Sequence, residues 1–159
     1  MMNMNEVKER LKRDEGLRLH AFQSPAGYWA CGYGHNLEAS GCSKETIERY
    51  KIEGTTKAQA DKWLEEDIRK AEQMARNHIA YFDELTEDRQ FVLVYLAFMF
   101  GWKMGQSKRI LKALERRNYE DAANQILKSK MGELGGERVR RLAELMREGE
   151  EEPEPPSTE

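Results

Sequence analysis

Residues 14–35 read DEGLRLHAFQSPAGYWACGYGH. The stretch opens with the acidic pair Asp14 and Glu15, passes through a glycine-rich segment and ends at His35. Gly27, Gly32 and Gly34 are interleaved with aromatic residues, and Ser24-Pro25-Ala26-Gly27 is a turn signal. Residues 17 to about 38 therefore predict a small antiparallel sheet. After Glu15 the stretch contains no further carboxylate.

Outward from this segment the chain reads as helix. On its N-terminal side Met4, Val7 and Leu11 recur at helical spacing, with Asn3 or Asn5 as cap and Gly16 as stop. On its C-terminal side Ser43 can cap a short helix through Tyr50, and Gly54 breaks it. Thr56 and Gln59 form a capping box before a long helix with the stripe Ala60, Trp63/Leu64, Ile68/Ala71, Ala75 and Ile79. A helical turn is expected near Tyr81–Leu85. Thr86 then opens a segment whose residues 91–100, FVLVYLAFMF, are apolar on every side. Such a helix belongs at the centre of a core, and ten residues are too few to cross a bilayer. Helices near 107–117, 119–130 and 137–147 follow, the last after the glycines of GELGG. The tail, 148–159, is rich in Glu and Pro and is expected to be disordered.

A chain of 159 residues is long enough for one domain with a substantial core. Charged residues make up 35 % and apolar ones 39 %, a balance suited to a polar surface around that core. The net charge of −3 gives no electrostatic case for nucleic acid. Six glutamates in the last twelve residues account for more than that, so the body carries about +3, which suits an anionic polymer such as cell wall. No apolar run reaches membrane-spanning length, and the charged amphipathic start is unlike a secretory signal. Cys31 and Cys42 lack metal-site spacing and are expected as free thiols. His20, His35 and His78 show no ligand spacing either, so no metal or cofactor is indicated.

The blocks LKRDEGLRLHAF and GYWACGYGH resemble the phage lysozymes of the T-even type, glycoside hydrolase family 24. KAQADKWLEEDI is similar to the start of that family's long helix, FMFG to the end of its central helix, RRNYEDAANQILKSK to its penultimate helical region and GERVRRL to the start of its last helix. The blocks fall in register from Met4 to about Met146. The resemblance implies a two-lobed α+β fold. Its small β-containing lobe covers about 14–55, and its helical lobe covers about 56–147 plus the N-terminal helix, with a ligand cleft between them. It also implies a phage or prophage origin and a muramidase cutting β-1,4 bonds between N-acetylmuramic acid and N-acetylglucosamine. The partner is then peptidoglycan, met by a monomer without membrane insertion. The enzyme would be made in the host cytoplasm and act on the wall after release.

Near its start the family carries Glu, eight residues, Asp or Cys, five residues, then Thr. Glu15 fills the first place as general acid, whereas the Asp/Cys place holds Ser24 and the Thr place holds Ala30. Cys31, one position past Ala30, should point to the opposite face of a strand and is not a substitute. Arg138 resembles the arginine that pairs with the acids Asp14 and Glu15, and Asp67 the partner of His35. For His35 the alternatives are substrate contact and an ion pair tying sheet to helix. Phe98 and Met99 stand where the family lines its cleft, yet core packing explains an apolar helix end equally simply. Tyr33, with Tyr28 and Trp29, could stack on sugar or pair across strands.

A two-carboxylate mechanism needs a base or nucleophile opposite the acid. Ser24 brings no charge, and Ala30 no hydrogen bond. Loss of a general base costs roughly 10²- to 10⁴-fold in rate. Three readings stay open from sequence: a muramidase with weak or rearranged chemistry, a lytic transglycosylase working with one Glu, and an inactive glycan-binding or structural module.

Overall fold

The computed structural model describes residues 2–101 and 104–149. It is an α+β protein: helix α1 (Met4–Glu15), a sheet of β1 (Arg18–Gln23), β2 (Trp29–Gly32) and β3 (His35–Asn36), then α2 (Lys44–Ile52), α3 (Lys57–His78), a 3-10 turn at Phe82–Glu84, α4 (Glu87–Phe100), α5 (Met104–Glu115), α6 (Tyr119–Lys128) and α7 (Lys130–Glu148). Two compact units divide it, one spanning Asn3–Arg69 and the other made chiefly of the chain from Lys70 onward. The helix-and-sheet reading of the sequence is borne out, and local chemistry explains most element ends.

The N-terminal unit is built on its caps. Asn3 accepts from the backbone N–H groups of Asn5 and Glu6, and Ser43 from that of Thr46. Thr56 Oγ1 accepts from the N–H of Gln59 at 3.1 Å. Each supplies an acceptor to N–H groups that a helix start leaves unpaired. The sheet is antiparallel in the order β1-β2-β3. Its register pairs Phe22 with Ala30 and Ala30 with Asn36, so these three form a row across one face. The other face carries Cys31 and His35, which pair with each other. Cys31 and Leu37 pack with Ile47, against which Trp29, Tyr50 and Trp63 also lie. Trp29 is thus partly core, with Lys51 Nζ 3.8 Å from its ring. Tyr28 is half-buried. Both cysteines are free thiols.

The C-terminal unit centres on α4. Residues 91–97 are all at most 4 % exposed, as an all-apolar helix requires. Each large apolar side chain buried there contributes about 1.5–3 kcal/mol. Thr86 stands at the N-cap position of α4, but its hydroxyl makes no cap bond. Arg89 is buried, donates to Met146 O at 2.9 Å and stacks on Tyr119, so its charge meets the carbonyl end of α7.

Helix bounds differ from expectation in two places: α5 runs Met104–Glu115 rather than 107–117, and α6 ends early. α6 stops at Lys128 because Ser129 takes over the cap. The chain is already helical from Lys130, but it leaves helical geometry at Gly136 (φ 57, ψ −137), so two helices join there and the last one starts after the glycines, as expected. Gly132 and Gly135 sit where a Cβ would fall 2.1 Å from Leu127 O and 1.9 Å from Val139 Cγ2. They are there for close approach. Of the expected tail, Glu148 closes α7 and Gly149 caps it, while 150–159 lie outside the described residues. No described helix is long and apolar enough to cross a membrane.

Candidate active site

Glu15 is the last residue of α1 and is half-buried. The chain turns at once: Gly16 adopts φ 71, and its N–H returns to Lys12 O. The carboxylate lies against the tight connection between β2 and β3. A Cβ placed on Gly34, whose φ is 88, would stand 3.5 Å from Glu15 Oε2. Asp14 beside it is exposed.

A polar network fixes this end of α1. Lys12 Nζ lies 3.1 Å from Asp61 Oδ1 on α3 and 5.7 Å from the centre of the Tyr33 ring. One turn earlier, Lys8 pairs with Glu65, which also holds Arg69. Burial opposes the charge of Lys12, but its bond to Asp61 and that carboxylate's charge outweigh it, so its pKa is raised. Tyr33 is 6 % exposed and lies close to Lys12 and Asp61. Burial raises its pKa, Lys12 opposes this and Asp61 adds to it. Tyr33 therefore stands inside the network that carries the Gly34 turn, with little surface to offer a sugar.

His35 lies on the core face. Its ring stacks on Trp63, with centroids 4.6 Å apart and planes 9° apart. Its Nδ1 is 2.7 Å from Asp67 Oδ2, and it is 7 % exposed. Trp63 and Asp67 are four residues apart on α3, hence on one helical face. The arrangement ties β3 to α3, the structural alternative for this histidine.

Ser24 and Ala30 offer no catalytic group. Ser24 opens the β1–β2 loop, its N–H donating to Tyr28 O and its carbonyl accepting from Gly27. Its Oγ is shielded from solvent and has no hydrogen-bond partner among the described residues. Ala30 is 1 % exposed.

A carboxylate does stand beside this sheet, on the turn after β3. Glu38 is the only acid between Gly16 and Ser43. Its Oε2 accepts the backbone N–H of Trp29 at 2.7 Å, next to Ala30. The loop carrying it is pinned: Asn36 Oδ1 accepts from Ala39 N, Ser40 N donates to Asn36 O, and Cys42 N donates to Leu37 O. Sequence reasoning missed Glu38 because it lies three residues beyond the stretch that resembles a site. Only the loop geometry returns it to Trp29.

The profile of the phage lysozyme family matches residues 12–150. The chain belongs to the phage lysozyme family. An endolysin of Acyrthosiphon pisum secondary endosymbiont phage 1 is 30 % identical over 131 residues, covering 81 % of this chain and 80 % of that protein. The function of this phage lysozyme is lysozyme-like cleavage of peptidoglycan. In its C-terminal unit, Phe98 and Met99 are half-buried at the end of α4, and Phe98 meets Tyr95 edge-on at 6.2 Å. Arg138 is half-buried on α7, two residues past the break at Gly136.

Proposed function

We propose that the chain is a glycoside hydrolase family 24 muramidase, acting as a monomer on the β-1,4 bonds between N-acetylmuramic acid and N-acetylglucosamine after release to the wall. Glu15 is its general acid. Ser24 and Ala30 occupy the family's Asp/Cys and Thr places. The observation that carries this reading is the placement of Glu15. It is a half-buried carboxylate at a helix end, against the Gly34 turn, on a helix that the Lys12–Asp61 ion pair ties to α3.

The emptiness of positions 24 and 30 favours a second reading, a lytic transglycosylase, because neither residue can hold an attacking water. Digestion of purified peptidoglycan separates the two. Muropeptides with reducing ends are expected from hydrolysis, and products lighter by one water from transglycosylation. Glu15→Gln is expected to abolish release. Full activity in that variant would remove Glu15 from the chemistry.

A further inference from the structure

We infer that Glu38 is the second catalytic carboxylate, the general base that this phage lysozyme uses in place of the side chains missing at 24 and 30. The inference rests on the reading of Glu15 as acid. Four observations carry it. Glu38, on the turn that follows β3, is the only acid between Gly16 and Ser43. It is oriented by one oxygen, Oε2, on the N–H of Trp29, and Oε1 has no partner among the described residues. Its loop is held by Asn36, which sits directly across from Ala30 in the sheet register. Three other carboxylates of this unit, all on α3, are held in ion pairs: Asp61 with Lys12, Glu65 with Lys8 and Arg69, and Asp67 with His35.

The two carboxylates stand at opposite ends of the β2–β3 hairpin. Glu15 lies at the Gly34 end of the sheet and Glu38 at the Trp29 end. At roughly 3.3 Å per residue the backbone positions that hold them are offset by about 10 Å along the strand. Inverting glycosidases hold their carboxyls about 6.5–9.5 Å apart to admit a water, and retaining ones about 5 Å apart. An offset of this order leaves room for a water between acid and base, as inversion requires. Glu15 gives its proton to the glycosidic oxygen, which leaves with the electron pair of the breaking C1–O bond. Glu38 takes a proton from water as the water oxygen bonds to C1 from the opposite face. The products are two shorter glycans, ionised Glu15 and protonated Glu38, and exchange with solvent restores both.

Glu38→Gln tests this, since the amide oxygen still accepts from Trp29 N–H but cannot take a proton. Turnover of purified peptidoglycan is expected to fall about 10²- to 10⁴-fold, with the melting temperature unchanged. Glu38→Ala with added azide is expected to recover glycan cleavage and yield a glycosyl azide of inverted configuration, which loss of a merely structural contact would not produce. Glu15→Gln serves as the control for the acid. If Glu38→Gln keeps activity within about threefold while Glu15→Gln is dead, the inference fails and the muramidase reading stands. If Glu15→Gln is as active as the unaltered protein, or the unaltered protein gives anhydro products or none, both fall.

Discussion

Gly34 and Cys31 show how single residues of the sheet set the site's limits. Gly34 has φ 88, and a Cβ there would meet Glu15 Oε2 at 3.5 Å, an ordinary contact. Backbone strain rather than collision is therefore the penalty of a side chain at 34. Gly34→Ala is expected to cost about 1–2 kcal/mol and to lower lysis by moving the turn against which Glu15 rests. Denaturant unfolding and a turbidity assay on cell walls measure the two effects. Cys31 is buried, its Sγ donating to Leu19 O at 3.3 Å. Burial pushes its pKa up, with a bond from the Gly32 backbone opposing. Below the ordinary thiol value of 9.0 both folded and unfolded chains keep the proton, and its stabilising share is complete. Above that value the unfolded chain ionises first, so stability falls as pH rises, by up to about 1.4 kcal/mol per pH unit, until the folded thiol ionises as well. Comparing unfolding free energies of the unaltered protein and Cys31→Ala between pH 8 and pH 10 is expected to show the steeper decline in the unaltered protein. Equal slopes would mean that the thiol titrates alike in both states.

At the scale of elements, α7 tests whether a glycine marks an end or a close contact. Gly136 breaks the helix at φ 57 and ψ −137 with nothing within 4 Å of a Cβ, so Gly136→Ala meets only backbone strain, about 1–3 kcal/mol. At Gly135 a Cβ would overlap Val139. Gly135→Ala is expected to destabilise by overpacking as well, and enlarging the space with Val139→Ala is expected to return part of the loss. Full additivity in that double-mutant cycle would place the clash elsewhere. From the sequence these two glycines were indistinguishable, and both read as a helix start. Signals that act within one turn were legible: the caps at Asn3, Ser43 and Thr56, the apolar stripe of α3 and the all-round apolar run of α4. Long-range placement was not. The gap of 32 residues between His35 and Asp67 carries no periodicity, and that pairing came only from resemblance. Glu38 follows a two-residue strand, and nothing in local spacing says that its carboxylate folds back onto Trp29. The absence of a carboxylate between Glu15 and His35 was visible. Its candidate replacement depends on a loop conformation.

For the whole molecule the decisive quantity is where the charge lies. Residues 150–159 contribute five glutamates and no base, so a chain ending at Gly149 changes its formal charge from −3 to +2. The family substrate belongs to an anionic envelope, so that change reverses the sign of the long-range interaction without touching Glu15, Glu38 or the elements that hold them. The shortened chain is expected to bind isolated sacculi more tightly at low ionic strength and to lyse them faster when substrate is dilute. The Debye length falls from about 10 Å at 0.1 M salt to about 3 Å at 1 M. The advantage should therefore shrink steadily with added salt and vanish near 1 M, with the turnover at saturating substrate the same for both chains. Co-sedimentation with sacculi across a salt series measures it. A difference that persisted at high salt, or that appeared in the saturated rate, would mean that residues 150–159 act by contact with the site or the wall rather than through their charge.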